Sequence, residues 1–143
     1  MDLTAILDTS HLLSFLGGTA VGAAGKYIAD LFTDQRKKKE AAAEANAAFK
    51  KLIGAMPELI DEIRADLIRE AEMHIRELVV LPNNRVIFNS DRPRFAYFES
   101  EHVGLKDKCE TLARAGYLEC VKPGPTPTYR LEEHFVERLA ASA

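Results

Sequence analysis

From Leu12 to Gly25 the chain carries no charged residue. It is apolar or small all round, where an amphipathic surface helix would show polar positions every third or fourth residue. That stretch reads as a helix of its own. Fourteen residues rise about 21 Å, and adding Lys26 to Phe32 brings the helix to the roughly 20 residues that cross a hydrocarbon core about 30 Å thick. Four basic residues, Arg36, Lys37, Lys38 and Lys39, follow. The segment Glu40–Lys50 is alanine, glutamate and lysine with one Asn and one Phe, and these are strong helix formers, so the first helix is expected to run on. Gly54 and Pro57 then punctuate the chain, since glycine suits the position after a helix and proline the first turn of the next. Ile60, Ile63, Leu67, Ala71, His74 or Ile75, and Leu78 recur at three- and four-residue steps, which predicts a second helix from about Pro57 to Leu81. Its charges, from Asp61 to Glu77, alternate in sign and read as a solvated face.

Beyond Leu81-Pro82-Asn83-Asn84 the pattern changes. Val86-Ile87-Phe88 and Phe95-Ala96-Tyr97-Phe98 are β-branched and aromatic runs joined by turn residues, which suits a hairpin, or one strand and an extended loop. Ser100 is placed to cap a helix over Glu101–Ala115 with Leu105, Cys109, Leu112 and Ala113 inward and Gly116 at its end. Tyr117–Val121 alternates as a half-buried strand. Residues 122–127 form a proline-rich turn, Thr128–Leu131 a second strand, and Glu132–Ala140 a closing helix that turns Phe135, Val136 and Leu139 inward.

A helix, then Ala-Gly-Tyr-Leu, a strand, a Gly/Pro loop, and Tyr-Arg-Leu before another helix resembles the second half of a winged-helix domain, over roughly Ser100 to Leu139. That resemblance implies that the helix before Gly116 is a recognition helix, carrying Lys106, Lys108 and Arg114, and that the proline loop is the wing. One departure is visible: no separate second helix precedes the recognition helix. The N-terminal run is similar to the single-pass anchors of small bacterial membrane proteins, in which Gly-Gly-x-x-x-Gly leads into a Lys/Tyr/Asp segment and a basic stop. The expected fold class is therefore mainly α with a small α+β C-terminal module. It comprises an N-terminal apolar helix over 1–33, a helical stalk or hairpin over 34–81, and a winged-helix-like domain over 82–143.

Charge and composition narrow the function. The 143 residues are 47% hydrophobic and 29% charged, with a net charge of −3. From Pro82 onward nine basic residues balance nine acidic ones. Phosphate contacts supply most non-specific affinity for nucleic acid, so a neutral module with Glu101, Asp107 and Glu110 on its reading helix is not expected to bind DNA. No P-loop, metal-binding HExxH or nucleophile-elbow pattern occurs, and Cys109 and Cys120 have no zinc-knuckle spacing. No enzyme activity, cofactor or metal is expected, and His74 and His102 read as ordinary flank and surface residues.

No Lys or Arg precedes Lys26, so a cleaved secretory leader does not fit. Basic residues prefer the cytoplasmic side, which points to an inner-membrane span with the C-terminal part in the cytoplasm. Gly18, Gly22, Gly25 and Ala29 share one helix face at the close-packing spacing of membrane helices, and that face is the expected route to a homo-oligomer. The residues 53–78 could also supply a short coiled-coil seam. The preferred expectation is a membrane-anchored protein whose cytoplasmic domain binds a protein partner or its own copies. Two others remain open: a membrane-perturbing effector of a bacterial or prophage system, and a soluble, cytoplasmic, dimeric winged-helix regulator.

Overall fold

The computed structural model describes residues 4–85 and 89–142, with side chains from Gly25 onward. The chain divides into two compact units, Met1–Lys51 and Leu52–Ala143.

The first unit lies on one helix, α1 (Thr4–Gly54), 51 residues long. It is unbroken through the basic run and the alanine-rich segment, as their propensities require. Every described side chain from Gly25 to Ala47 is exposed.

The second unit begins with α2 (Pro57–Arg69), which has proline in its first turn. A single 3-10 turn follows at Ala71–Met73, and His74 closes it in the left-handed region at φ 49°. Strand β1 (Glu77–Leu81) comes next, then β2 (Phe95–Phe98), α3 (Leu105–Arg114), β3 (Leu118–Lys122), β4 (Thr128–Leu131) and α4 (Glu133–Ala141). The coarse expectation holds: the chain is mostly helical, with a small four-stranded sheet near its C-terminus.

The sheet order is β2-β1-β4-β3. β1 pairs in parallel with β2 and antiparallel with β4, and β4 pairs antiparallel with β3. A register shift interrupts β3 between Cys120 and Lys122. β1 is thus a central strand. Leu78, Val79, Val80 and Leu81 are all buried, although alternate side chains point to opposite faces. A strand covered on both faces reads as a continuous apolar run, not as an alternation.

That explains the first correction. The helix expected over Pro57–Leu81 stops at Arg69, and its last residues are strand. Ile75 and Leu78 happen to continue the three- and four-residue spacing, while the β-branched pair Val79-Val80 favours the sheet. A second correction concerns α3. It begins at Leu105, with Gly104 at φ 67° before it and no side-chain cap. Ser100 sits in a preceding turn, where its N–H donates to the Pro82 carbonyl. The expected strand Phe95–Phe98 is β2, which pairs with β1 in parallel. The run Val86–Phe88, expected as a strand, lies outside the described residues.

The core of this unit is shared evenly by its elements. Leu59, Ile60 and Ile63 of α2, Leu105, Cys109 and Leu112 of α3, and Phe135 and Leu139 of α4 are all buried. They meet Tyr97, Leu118, Tyr129 and Leu131 from the strands. Two helices bearing Leu and Phe at helical spacing thus converge with α2 on a small sheet, the layered arrangement that lets each element bury its apolar face.

Candidate functional site

The basic run lies on α1. Arg36, Lys37, Lys38 and Lys39 are exposed, and Arg36 reaches Glu40 one turn on at 4.0 Å, with both side chains largely in solvent. Such a pair contributes little. One turn before the run, Tyr27 is 68% exposed, Ile28 51%, Leu31 46% and Phe32 68%. Four large apolar side chains within two turns of a water-exposed helix form an unusual patch. Among the described residues no helix is long and apolar enough to cross a membrane. The side chains of Leu12 to Ala24, on which the expected span rests, lie outside those residues. The same holds for Gly18 and Gly22 of the expected packing face. Its other two members are described: Ala29 is exposed, and a Cβ at Gly25 would meet nothing within 4 Å.

The expected recognition helix is α3. Lys106 pairs with Glu99 at 3.3 Å, and Arg114 with Glu110 at 3.1 Å. Lys108 is half-buried. The helix therefore presents its cations beside carboxylates, an arrangement that weakens any pull on a phosphate.

A polar cluster joins α2, β2 and the turn ahead of α3. The Tyr97 hydroxyl donates to Asp66 Oδ2 at 3.0 Å, and Arg69 donates to the other Asp66 oxygen. His102 and Glu62 meet through Nε2 and Oε2 at 2.5 Å. Asp66 is 8% exposed and His102 5%. The His102 Nδ1 is buried with no hydrogen-bond partner. Burial and the neighbouring Asp66 carboxylate raise the Tyr97 phenol well above its ordinary value, so it stays a donor. The sequence reading missed this cluster, which places one carboxylate and one imidazole in dry surroundings where solvated groups were expected. Asp66 lies at i+3 from the buried Ile63 and i+7 from Leu59, on their stripe, and that spacing is the signal that could have found it.

Cys109 is buried in the core, and burial pushes its thiol up to about 12. A thiol so held is protonated at neutral pH and is a poor nucleophile. Cys120 is exposed on β3. Among the described residues no group of His, Cys, Asp and Glu could hold a metal ion.

Two further features mark the surface of the second unit. A ladder of alternating charges crosses the whole sheet: Arg94 to Glu77 at 2.7 Å, Arg130 to Glu77 at 3.5 Å, and Arg130 to Glu119 at 3.1 Å. Arg94, and then Arg130, holds the Glu77 carboxyl below the usual range despite the opposing effect of burial. Between α2 and α4 lies a groove of about 480 Å³, floored by Leu67, Val136 and Leu139 and edged by Ile68, which is 69% exposed. Arg64, beside it, donates to the Leu139 carbonyl and to Asp61.

Compared with protein-family models, curated proteins and solved structures, the chain matches none of them.

Proposed function

We propose that this chain is a non-enzymatic, membrane-anchored protein whose C-terminal unit is a winged-helix-like module that binds a protein partner or its own copies. The exposed Tyr27, Ile28, Leu31 and Phe32, set on an unbroken helix one turn ahead of four basic residues, carry the membrane part of the reading. Aromatic rings prefer the membrane–water interface, and basic side chains the cytoplasmic headgroups just beyond it.

The order of elements supports the winged-helix part. α2 precedes β1, α3 precedes β3, and β4 lies between β1 and β3 in the sheet. β3, the residues 123–127 and β4 then correspond to the wing hairpin. Strand β2 and the turn at 99–104 stand where the family has its second helix. The ion-paired cations of α3 favour a protein over a nucleic acid as the partner. The exposed Ile68 beside the groove gives such a partner an apolar contact.

Cell fractionation with carbonate extraction tests the anchor. The full chain should stay in the membrane pellet, and a variant lacking residues 12–32 should move to the supernatant. Recovery of the full chain in the carbonate supernatant overturns the reading.

A further inference from the structure

Four consecutive residues on an α-helix cannot share a face, because each step turns the chain about 100°. Arg36, Lys37, Lys38 and Lys39 lie within unbroken α1, so their cations point in four directions around the axis. They occupy a band only about 4.5 Å tall at 1.5 Å per residue. A helix lying flat on a surface gathers its basic residues on the polar side and leaves the opposite side apolar. This band has no apolar side. It is a collar, and a collar is met all round only by a layer that surrounds the helix.

The residues below the collar agree. Tyr27, Ile28, Leu31 and Phe32 are exposed over the two preceding turns. Counted back at 1.5 Å per residue, Leu12 to Phe32 spans about 30 Å, the thickness of a hydrocarbon core. Asp30 and Asp34 lie within about 40° of each other on one flank, by the same helical step. Arg36 and Lys39 therefore have no aspartate of the preceding turns beneath them.

We infer that α1 stands upright through the bilayer and that the Arg36–Lys39 collar binds anionic lipid headgroups, so the protein selects membrane regions rich in acidic phospholipid. This rests on the anchor reading above and adds lipid choice and helix orientation to it.

The test uses the full chain, synthesised cell-free in the presence of vesicles and recovered by flotation. One set of vesicles is phosphatidylcholine, the other an equal mixture of phosphatidylcholine and phosphatidylglycerol. The expected result is a strong preference for the anionic vesicles that falls with added salt. Each of R36Q, K37Q, K38Q and K39Q should lose roughly fivefold of that preference, the share one basic residue near an anionic surface supplies. All four variants should lose preference, K37Q and K38Q the less because Asp30 and Asp34 lie on their side of the helix, and circular dichroism should show the helix retained. Equal flotation with both sets overturns the lipid choice and leaves the anchor standing. Loss confined to two of the four variants overturns the upright collar in favour of a helix lying flat. No flotation with either set overturns the anchor and this inference with it.

Discussion

Asp66 shows how strongly one buried side chain can tie a fold together. Its two oxygens accept from Tyr97 on β2 and from Arg69 on its own helix. Hydrogen bonds to charged groups contribute about 1.5–3 kcal/mol each, and a buried acceptor left short of a donor costs a comparable amount. Y97F removes one hydroxyl and nothing else, so urea denaturation should show a loss of about 2 kcal/mol. No loss would mean that water replaces the hydroxyl. Glu77 is the residue whose titration should be visible in stability. Its folded pKa lies below the ordinary glutamate value, chiefly through Arg94. A depressed carboxylate stabilises the fold above its unfolded pKa, and that contribution disappears as pH falls through the folded value. Acid titration of stability should therefore be steeper in the native chain than in E77Q below about pH 4.5, with E77Q already weakened at neutral pH. Identical acid limbs would show that the ladder carries no net stability. Neither Asp66 nor His102 was legible as a core residue. Both are polar types that single-sequence reasoning assigns to water, and His102 is drawn inside by a turn whose backbone N–H donates to the Phe98 carbonyl.

At the scale of elements, what could be read depended on whether local and tertiary demands agreed. Gly54 and Pro57 marked the end of α1 and the start of α2, where backbone preference alone decides. Thr128–Leu131 was readable because a proline turn sets one limit and the helix Glu133–Ala141 the other. β1 was not readable, since its pairing on both sides is a tertiary fact. The ladder Arg94–Glu77–Arg130–Glu119 was equally hidden, because it needs a register that only the folded sheet supplies. Two glycines separate the backbone from the packing argument. Gly104 has φ 67° and Gly54 is helical, and a Cβ at either would meet nothing within 4 Å. G104A should therefore destabilise by about 1 kcal/mol, through backbone conformation alone. G54A should stabilise by about 0.5–1 kcal/mol, by limiting the unfolded chain. Thermal melts of the two variants should move in opposite directions, and a shared direction would contradict the backbone assignments.

For the whole molecule, the boundary at Leu52 is the organising fact. The second unit contains its own core, from Leu59 to Leu139. Residues 52–143 expressed alone should unfold in one cooperative transition, with fluorescence and circular dichroism midpoints that coincide. Separated midpoints would show that the unit is not autonomous. L112A, which empties a fully buried position on α3, should lower its stability by about 2–5 kcal/mol.

The parallel pairing of β1 with β2 has a consequence for how this unit opens and closes. β1, β4 and β3 are linked by antiparallel pairing, and a short turn joins β4 to β3. β2 follows β1 after residues 82–94, and among the described residues it pairs with β1 alone, in parallel. Closing that loop is a separate entropic step. Amide exchange should accordingly be fastest at the β2 edge and slowest at Val79 and Val80, in the middle of β1. Each opening would also withdraw Tyr97 from Asp66, so the strand last to arrive is the one that leaves a buried carboxylate short of a donor when it departs.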